Sequence, residues 1–398
     1  MNRPQIGLVG CFQNGKSTLL NCLLKARCAL IGEGVAKTKT VIRYTYNERL
    51  SFYCVWRNGK REKTTFDEIK NLMISADQDN LAYCEVGIPS PCLEKIDVVD
   101  TPGFNASQKD TERTTEFIDK LDFIFFIIGT HHGDFDDAER RVLAEVTKNK
   151  KLFSVLYNCC NTLCWNPSSD NVRRNAASLE SYFRDNGIII NSLNDDFSIL
   201  PVNLGWYWTA ILTNRLTDTL SLFDMTNAEK TLLHDCESYF YRQVKEGNTF
   251  FQNEVVINNE QYVLPLPSEL EILSNIDKVR IFINAIVPFI TPLPVPKLNC
   301  SWNEGKKNLD VSWSIEDDVY NYIFELQYRE QNSSEWKLIE TDGTQKTFSG
   351  LRSGMVYEFR VRSKLKSQGR YSEPSEIKSI RIPRVGVIIL DPDDQDGF

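Results

Sequence analysis

Short apolar segments alternate with amphipathic helical patterns over the first half of the chain. The apolar segments are QIGLVG, EKIDVVD, LDFIFFIIG, KLFSVLYN and FSILPVN, each of a length that suits one buried strand. Between them, KSTLLNCLLKA, FDEIKNLMISA, DDAERRVLAEVTKN and NAASLESYFRDNG carry apolar residues at helical spacing. Strands that alternate with helices predict an α/β fold, with a mostly parallel sheet covered by helices on both faces.

Three further runs have strand character. TVIRYTY and LSFYCVW are rich in β-branched and aromatic residues and are separated by the short polar segment NER. This spacing predicts an antiparallel hairpin. AYCEVGIP is expected to form another strand ahead of EKIDVVD.

The pattern changes twice in the second half of the chain. From Trp206 to Pro288 helical patterns dominate, interrupted by NTFFQNEVVINNEQYVLPLPS, which suits either a hairpin or a loop. PFITPLPVPKL then forms a stiff, proline-rich boundary. Beyond it, the short alternating runs LDVSWS, YIFELQYRE, WKLIET, KTFSGL, VYEFRVRS and SEIKSIRI predict a small antiparallel sandwich. We therefore expect a first domain at 1–290, a second at 291–384 and a disordered acidic tail at 385–398.

Composition narrows the class of protein. The 398 residues are 41% hydrophobic and 25% charged, as in ordinary globular proteins, and the net charge of -8 argues against coating of nucleic acid. The 11 cysteines lack disulfide-framework spacing, which suits a reducing compartment. No stretch reaches the length of a membrane-spanning helix. We expect a cytoplasmic protein without nucleic-acid or membrane partners.

The segment GCFQNGKST has the spacing of a phosphate-binding loop, G-x-x-x-x-G-K-[ST]. Gly10 and Gly15 frame the loop, so that backbone N–H groups can converge on phosphate oxygens at the start of the following helix. Lys16 is expected to reach the outer phosphates, and Ser17 to coordinate Mg²⁺. The further nucleotide-binding residues expected in this segment are Asn14 and Thr18.

A second motif follows at the end of an apolar strand, in KIDVVDTPGFN. Asp100, Thr101, Pro102 and Gly103 resemble the D-x-x-G motif of GTPases. In that motif the aspartate binds Mg²⁺ through water, and the glycine amide senses the terminal phosphate. The resemblance implies these roles for Asp100 and Gly103.

Together the two motifs make residues 1 to about 290 resemble a P-loop GTPase of the translation-factor-related class, whose fold is a three-layer P-loop domain. EVGIPSPCLEKIDVVDTPGFN is particularly similar to dynamin-like GTPases. The resemblance implies binding and Mg²⁺-dependent hydrolysis of GTP. It also places VAKTKTVIRYTY at the first switch, where a threonine closes over Mg²⁺ and the terminal phosphate. Thr38 is the first candidate for this threonine and Thr40 the second, because spacing does not decide between them.

The segment that resembles the base-reading motif departs from the family pattern N-K-x-D. In LYNCCNT, Asn158 matches the asparagine, but Cys159 replaces the lysine and Asn161 replaces the aspartate. A carboxylate presents only acceptors to guanine, whereas an amide presents one acceptor and one donor. Discrimination for guanine should therefore weaken, and ATP remains an alternative substrate. Asn203, in LPVNLG, is the expected base contact of the last loop, with a simple cap at the strand end as the alternative.

The position after D-x-x-G holds Phe104, where some GTPases carry a glutamine that orients the catalytic water. Dynamin-like relatives use other groups, often on the phosphate loop and sometimes with a monovalent cation. Here the resemblance points to Gln13, with K⁺ as a possible cofactor. It implies slow intrinsic turnover, raised by a partner or by a nucleotide-dependent homodimer. A nucleotide-gated adaptor with little or no turnover is the alternative.

The adjacent residues His131 and His132 have no cysteine or histidine partner at ligand spacing, so we interpret them as part of a polar loop.

The second domain resembles a fibronectin type III domain. LDVSWS carries a tryptophan suited to its core, Trp313, and GLRSGMVYEFRVRS resembles its corner motif, with Leu351 and Tyr357. All three side chains are expected to pack inside the sandwich. Domains of this kind bind proteins or act as spacers, which implies a protein partner for this one.

Overall fold

The computed structural model describes residues 3–11, 13–29, 31, 39–74, 80–104, 108–129, 137–148, 151–158, 166–192, 198–213, 220–257 and 259–384. The chain divides into two compact units, one from Arg3 to Thr291 and one that begins at Pro292. The predicted boundary near residue 290 lies at this division. Thr38, His131, His132, Asn161 and the acidic tail lie outside the described residues.

The first unit is built on a nine-stranded sheet whose strand order is β4-β3-β5-β2-β6-β1-β7-β8-β9. Its strands are β1 (Gln5–Gly10), β2 (Ile42–Tyr46), β3 (Ser51–Trp56), β4 (Arg61–Lys63), β5 (Leu81–Ile88), β6 (Asp97–Asp100), β7 (Phe123–Gly129), β8 (Phe153–Asn158) and β9 (Ile199–Val202). The pairs β1–β6, β1–β7, β7–β8, β8–β9 and β2–β5 are parallel. The prediction of a mostly parallel α/β sheet is confirmed.

Helices cover both faces of this sheet. They are α1 (Lys16–Leu24), α2 (Phe66–Ile74), α3 (Gln108–Ile118), α4 (Asp137–Lys148), α5 (Asp170–Asp185), α6 (Leu204–Leu212), α7 (Asn227–Lys245), α8 (Pro267–Leu273) and α9 (Ile276–Ile290). Alternate residues of β7 enter two separate cores: Phe125 belongs to the cluster with residues of α1, α6 and α9, and Phe126 to the cluster with residues of α3, α4 and α5. The two apolar clusters therefore lie on opposite faces of one sheet.

The predicted hairpin between TVIRYTY and LSFYCVW is wrong. β5 lies between β2 and β3, parallel to β2 and antiparallel to β3. The residues of β5 from Cys84 to Ile88 are buried. An interior position in the sheet stabilises such a strand, because both of its edges are then hydrogen-bonded and its apolar side chains are covered. A short link between two strands does not by itself make them neighbours when a third, more apolar strand can occupy the space between them.

The helical second half of the first unit contains the one segment that the sequence left open. Gln252–Ile257 (β10) and Glu260–Pro265 (β11) form an antiparallel hairpin. The last helical pattern is divided into α8 and α9 at Asn275, whose left-handed φ of 59° starts α9. α9 continues through Pro288 to the buried Ile290, so the proline-rich boundary begins only after that residue.

The second unit is an all-antiparallel sandwich of two sheets, with strand orders β12-β13-β16 and β15-β14-β17-β18. The strands are β12 (Lys297–Asn303), β13 (Asn308–Ser314), β14 (Tyr322–Glu330), β15 (Lys337–Thr341), β16 (Gln345–Phe348), β17 (Val356–Leu365) and β18 (Lys378–Arg381). Trp313 and Tyr357 are buried in the core between the sheets, and Leu351 packs against it. The predicted sandwich and its three packing residues are confirmed.

Within the described part of the chain, no helix combines the length and the apolar composition needed to cross a membrane.

Candidate nucleotide-binding site

The phosphate-binding loop joins the carboxyl end of β1 to the first turn of α1. A Cβ atom at Gly10 would lie 2.4 Å from the carbonyl oxygen of Ile127 on β7. Gly15 has a φ of 96°, and a Cβ atom there would lie 2.3 Å from Nδ2 of Asn158. Both framing positions therefore require glycine, Gly10 because of close packing and Gly15 because of its backbone conformation as well.

Lys16 is almost completely buried within this loop. Its ammonium group donates to the carbonyl oxygens of Gly10, at 3.1 Å, and Cys11, at 2.8 Å. Burial lowers the pKa of Lys16 below its usual 10.5, and the negative charge of Asp100 opposes this shift. The loop thus holds a poorly solvated cation at the carboxyl edge of the sheet, which a phosphate group would stabilise.

Ser17 and Asp100 meet at the same edge. Parallel pairing sets Leu8 on β1 opposite Asp100 on β6, which brings the end of β6 beside the start of α1. Ser17 Oγ donates to Asp100 Oδ2 over 2.9 Å, and Asp100 is fully buried. A hydroxyl and a carboxylate are the hard oxygen ligands that Mg²⁺ prefers, so these two residues fit a magnesium ion.

The segment that follows Asp100 runs alongside the phosphate loop. Thr101 Oγ1 donates to the carbonyl oxygen of Leu8 over 2.8 Å. The backbone amide of Phe104 donates to the carbonyl oxygen of Gly10 over 3.3 Å. Phe104 is buried in the apolar cluster that also contains Phe117 of α3. The residue that replaces a water-orienting glutamine is therefore a core residue, and Gly103 beside it is buried as well.

The side chain of Asn14 is buried and bonded to two other elements of the fold. Its Nδ2 donates to the carbonyl oxygen of Ile127, at 2.9 Å, and to Oε1 of Glu139, at 2.8 Å. Its backbone carbonyl accepts from Nδ2 of Asn158 at 2.9 Å. Contacts from β7, α4 and the end of β8 thus hold this part of the loop in place.

Glu139 supports the site but belongs to none of the motifs identified in the sequence. This residue is buried in the first turn of α4, where its Oε1 also accepts from the amide of Gly129 at 3.3 Å. The available signal was its register, because Glu139 continues the apolar stripe formed by Val142, Leu143 and Val146. A carboxylate at a core position of a helix indicates a buried polar partner.

Two of the predicted base-binding residues lie at the neighbouring strand ends. Asn158 links the phosphate loop to the start of α6, since its Oδ1 accepts from the amide of Leu204 at 3.5 Å. Asn203 is fully buried and caps α6, with Oδ1 accepting from the amide of Trp206 at 3.3 Å. This cap corresponds to the structural alternative for Asn203. Contact of either residue with a base stays a prediction.

The remaining predicted residues border the same edge. Gln13 is exposed, with a left-handed φ of 67°. Thr18 is half-buried in the first turn of α1, and Thr40, the second candidate switch threonine, is buried. The choice between Thr38 and Thr40 stays open, because only Thr40 belongs to the described residues. Among the residues that the structure describes, there is no cluster of three or more His, Cys, Asp or Glu side chains that could hold a metal.

Comparison with known proteins finds two families along the chain. The sequence model of the dynamin family matches residues 6–159. The model of the fibronectin type III domain matches residues 293–378. These matches lend no support to the narrower placement in the translation-factor-related class.

Individual relatives are distant and are matched only in part. Dynamin-like protein 2 of Campylobacter jejuni is 34% identical over 129 residues, which are 28% of this chain and 18% of that protein. A probable transmembrane GTPase of Arabidopsis thaliana chloroplasts, FZO-like, is 28% identical over 152 residues, 38% of this chain and 14% of that protein. The chain thus spans less than a fifth of the length of either relative.

A solved structure of an oligomerised bacterial dynamin pair, described as sensing and tethering membranes over long range, is similar at 17% identity. The match has a TM-score of 0.37 and covers 72% of this chain and 36% of that one. From the two family matches, this chain carries a dynamin-family GTPase domain, matched over residues 6–159, and a fibronectin type III domain, matched over residues 293–378.

Proposed function

We propose that the protein binds GTP with Mg²⁺ and hydrolyses it, and that its fibronectin type III domain binds a protein partner. The observation that carries the proposal is the arrangement of three side chains at one sheet edge. Ser17 Oγ and Asp100 Oδ2 are 2.9 Å apart, and they lie beside the buried ammonium group of Lys16. A cation with two hard oxygen ligands at a helix N-terminus suits a nucleoside triphosphate better than a neutral ligand.

Each residue of the site has a separate proposed role toward the nucleotide. Lys16 and the backbone amides of the loop bind the phosphates and stabilise the charge that develops on the terminal phosphoryl group. The Gly103 amide and the switch threonine, Thr38 or Thr40, respond to the terminal phosphate. Mg²⁺, held by Ser17 and through water by Asp100, would supply charge neutralisation of the phosphate oxygens.

The attacking water needs an orienting group other than Phe104, which lies in the core. Gln13 is proposed for this role because it is exposed on the phosphate loop and its amide can donate to or accept from water. A monovalent cation such as K⁺ would assist from the same side. Because one amide on an exposed loop orients water weakly, we propose slow turnover that a nucleotide-dependent homodimer or a partner accelerates.

GTP is proposed as the substrate on the basis of the dynamin-family match. Asn161 in place of the family aspartate is the feature that favours weaker base discrimination, and so keeps ATP as a competing substrate. A nucleotide-gated adaptor is less favoured, because the dynamin-family match and the FZO-like relative, a probable GTPase, support hydrolysis. We further propose a cytoplasmic location without nucleic-acid partners, in keeping with the net charge of -8.

One assay tests the proposal. Hydrolysis of GTP and of ATP is measured with Mg²⁺, in K⁺ and in Na⁺, over a range of protein concentrations. We expect GTP to be preferred, K⁺ to raise the rate, and the rate per molecule to rise with protein concentration. Lys16→Ala serves as the inactive control. Equal rates for the parental protein and Lys16→Ala would reject the site, and binding without turnover at any concentration would support the adaptor.

A further inference from the structure

Two consecutive residues of α3 contact the two segments that are predicted to respond to the terminal phosphate. Arg113 Nη1 donates to the carbonyl oxygen of Lys39 over 2.7 Å. Thr114 Oγ1 donates to the carbonyl oxygen of Pro102 over 3.0 Å. Pro102 lies inside the D-T-P-G segment, next to Gly103. Lys39 lies between the two candidate switch threonines in the sequence.

The two contacts differ in character. Thr114 is fully buried, and its bond ties α3 to the D-T-P-G segment on the inner side of the helix. Arg113 is only half-buried, and its guanidinium reaches across to the backbone that leads into β2. A hydrogen bond from a charged donor to a main-chain carbonyl fixes the position of that backbone. This holds regardless of the side chains of Lys39 and Thr40.

The body of α3 is well anchored. Phe117 is buried and packs edge-to-face on Tyr83 of β5, with ring centroids 5.6 Å apart. Arg57 pairs with Glu116 on the solvent side of the same helix, Nη2 to Oε2 at 2.8 Å. Because α3 is held against β5, the D-T-P-G segment and the backbone at Lys39 are both tied to one packed helix, through Thr114 and Arg113.

We propose that Arg113 is a positioning residue that couples the two switch segments. When the Gly103 loop engages a terminal phosphate, its bond to Thr114 keeps it in register with the packed helix α3, from which Arg113 holds the Lys39–Thr40 backbone near the same phosphate. The switch threonine and the Gly103 amide then engage the terminal phosphate together rather than independently. This inference rests on the proposed function of the site, and it concerns a residue outside the phosphate loop and the metal ligands.

The coupling has a specific thermodynamic consequence. GDP lacks the terminal phosphate, so neither switch segment gains a contact from it, and the Arg113 bond contributes little to GDP affinity. For GTP, both segments must be ordered, and the Arg113 bond offsets part of the ordering cost of the first. Loss of Arg113 should therefore lower GTP affinity selectively, whereas a residue that only maintains the fold would affect both nucleotides equally.

The experiment compares affinities for a non-hydrolysable GTP analogue and for GDP, both with Mg²⁺, in the full chain. In Arg113→Ala the ratio of GTP-analogue affinity to GDP affinity should fall on the order of tenfold, the effect of losing one charge-assisted hydrogen bond. GDP affinity should stay within about twofold of the parental value. Arg113→Lys retains a cationic donor on a flexible stem and should recover part of the ratio.

Arg57→Ala is the matched control, because it removes an arginine that contacts the same helix through Glu116, where both side chains are about half exposed. It should leave the affinity ratio unchanged. Thermal unfolding without nucleotide should give similar midpoints for both alanine variants, which shows that α3 remains packed.

Three outcomes would overturn the coupling. They are an unchanged ratio in Arg113→Ala, an equal loss for both nucleotides, and a ratio that rises. This experiment can fail without rejecting the proposed GTPase activity, and the reverse also holds, because it measures nucleotide affinity and needs no hydrolysis. A parental protein that binds both nucleotides but never hydrolyses GTP would reject the GTPase and leave the affinity ratio as the test of Arg113.

Discussion

The side-chain amide of Asn14 donates to the carboxylate of Glu139 over 2.8 Å, and neither residue is more than 3% exposed. The phosphate-binding loop is thus supported from α4 by a buried acceptor that is 125 residues away in sequence. Because both N–H groups of the Asn14 amide are bonded, to Glu139 and to Ile127, rotation of this side chain would leave a buried polar group unpaired.

Glu139→Ala should weaken nucleotide binding and lower the free energy of unfolding. The substitution leaves Asn14 and the Gly129 amide without their buried acceptor, at a cost of about 1–3 kcal/mol. Glu139→Gln retains an acceptor oxygen and should stay close to the parental protein. Denaturant unfolding and nucleotide titration measure the two effects.

Glu145→Ala, on a more exposed turn of α4, is the control for Glu139→Ala and should change neither quantity. If Glu139→Gln behaved like Glu139→Ala, the carboxylate charge rather than its acceptor oxygen would be the relevant property.

Lys16→Met should abolish tight nucleotide binding and also change how stability depends on pH. Burial lowers the pKa of Lys16 in the folded protein, so the unfolded chain holds this proton more tightly. The contribution of Lys16 to the free energy of unfolding therefore rises with pH from its folded-state pKa up to 10.5. Lys16→Met should show a shallower rise in denaturant unfolding measured without nucleotide.

The control for this measurement is Lys148→Met, which removes a lysine whose side chain is 74% exposed. Its stability should follow pH as the parental protein does. A parental slope in Lys16→Met would mean that Lys16 is well solvated.

Asn161→Asp should sharpen the preference for GTP over ATP. A carboxylate offers two acceptors to the guanine edge, and hydrogen bonds to a charged group are worth about 1.5–3 kcal/mol each. Competition binding against ATP and xanthosine triphosphate measures the preference, with Asn161→Ala as the control that removes the side chain. Unchanged selectivity in both variants would show that residue 161 does not face the base.

A chain shortened to residues 1–291 should unfold in one cooperative transition and bind nucleotide within about twofold of the full chain. The reason is that α9 ends at Ile290, which is buried in the core of the first unit. The sandwich has its own core around Trp313. Circular dichroism during thermal unfolding, with nucleotide titration, measures both properties.

A chain that ends at Pro288 is the informative comparison, since it lacks Ile290. It should be less stable by about 2–5 kcal/mol, as for a buried isoleucine that is truncated. Aggregation of the 1–291 chain, or a large change in its nucleotide affinity, would contradict the independence of the first unit.

Several elements of the fold could be predicted because their signals are local. The spacing of Gly10, Gly15 and Lys16 follows from what a backbone needs in order to approach phosphate. The apolar run of β7 predicts a strand buried on both faces. Helix α3 was not predicted, because it has few apolar residues to mark a helical pattern. Its packing on β5 depends on Phe117 and Tyr83, which lie far apart in the sequence.

The sequence by itself determined the chemistry of the site, namely a lysine, a serine and an aspartate on segments that end at strand edges. Only the tertiary structure decided which distant groups support them, namely Glu139 behind Asn14, and Arg113 beside Lys39. The order of β3, β5 and β2 in the sheet was likewise decided only by the tertiary structure. Local propensity depends on neighbours within a few residues, whereas these contacts depend on which strand pairs with which, and that choice minimises the free energy of the whole sheet.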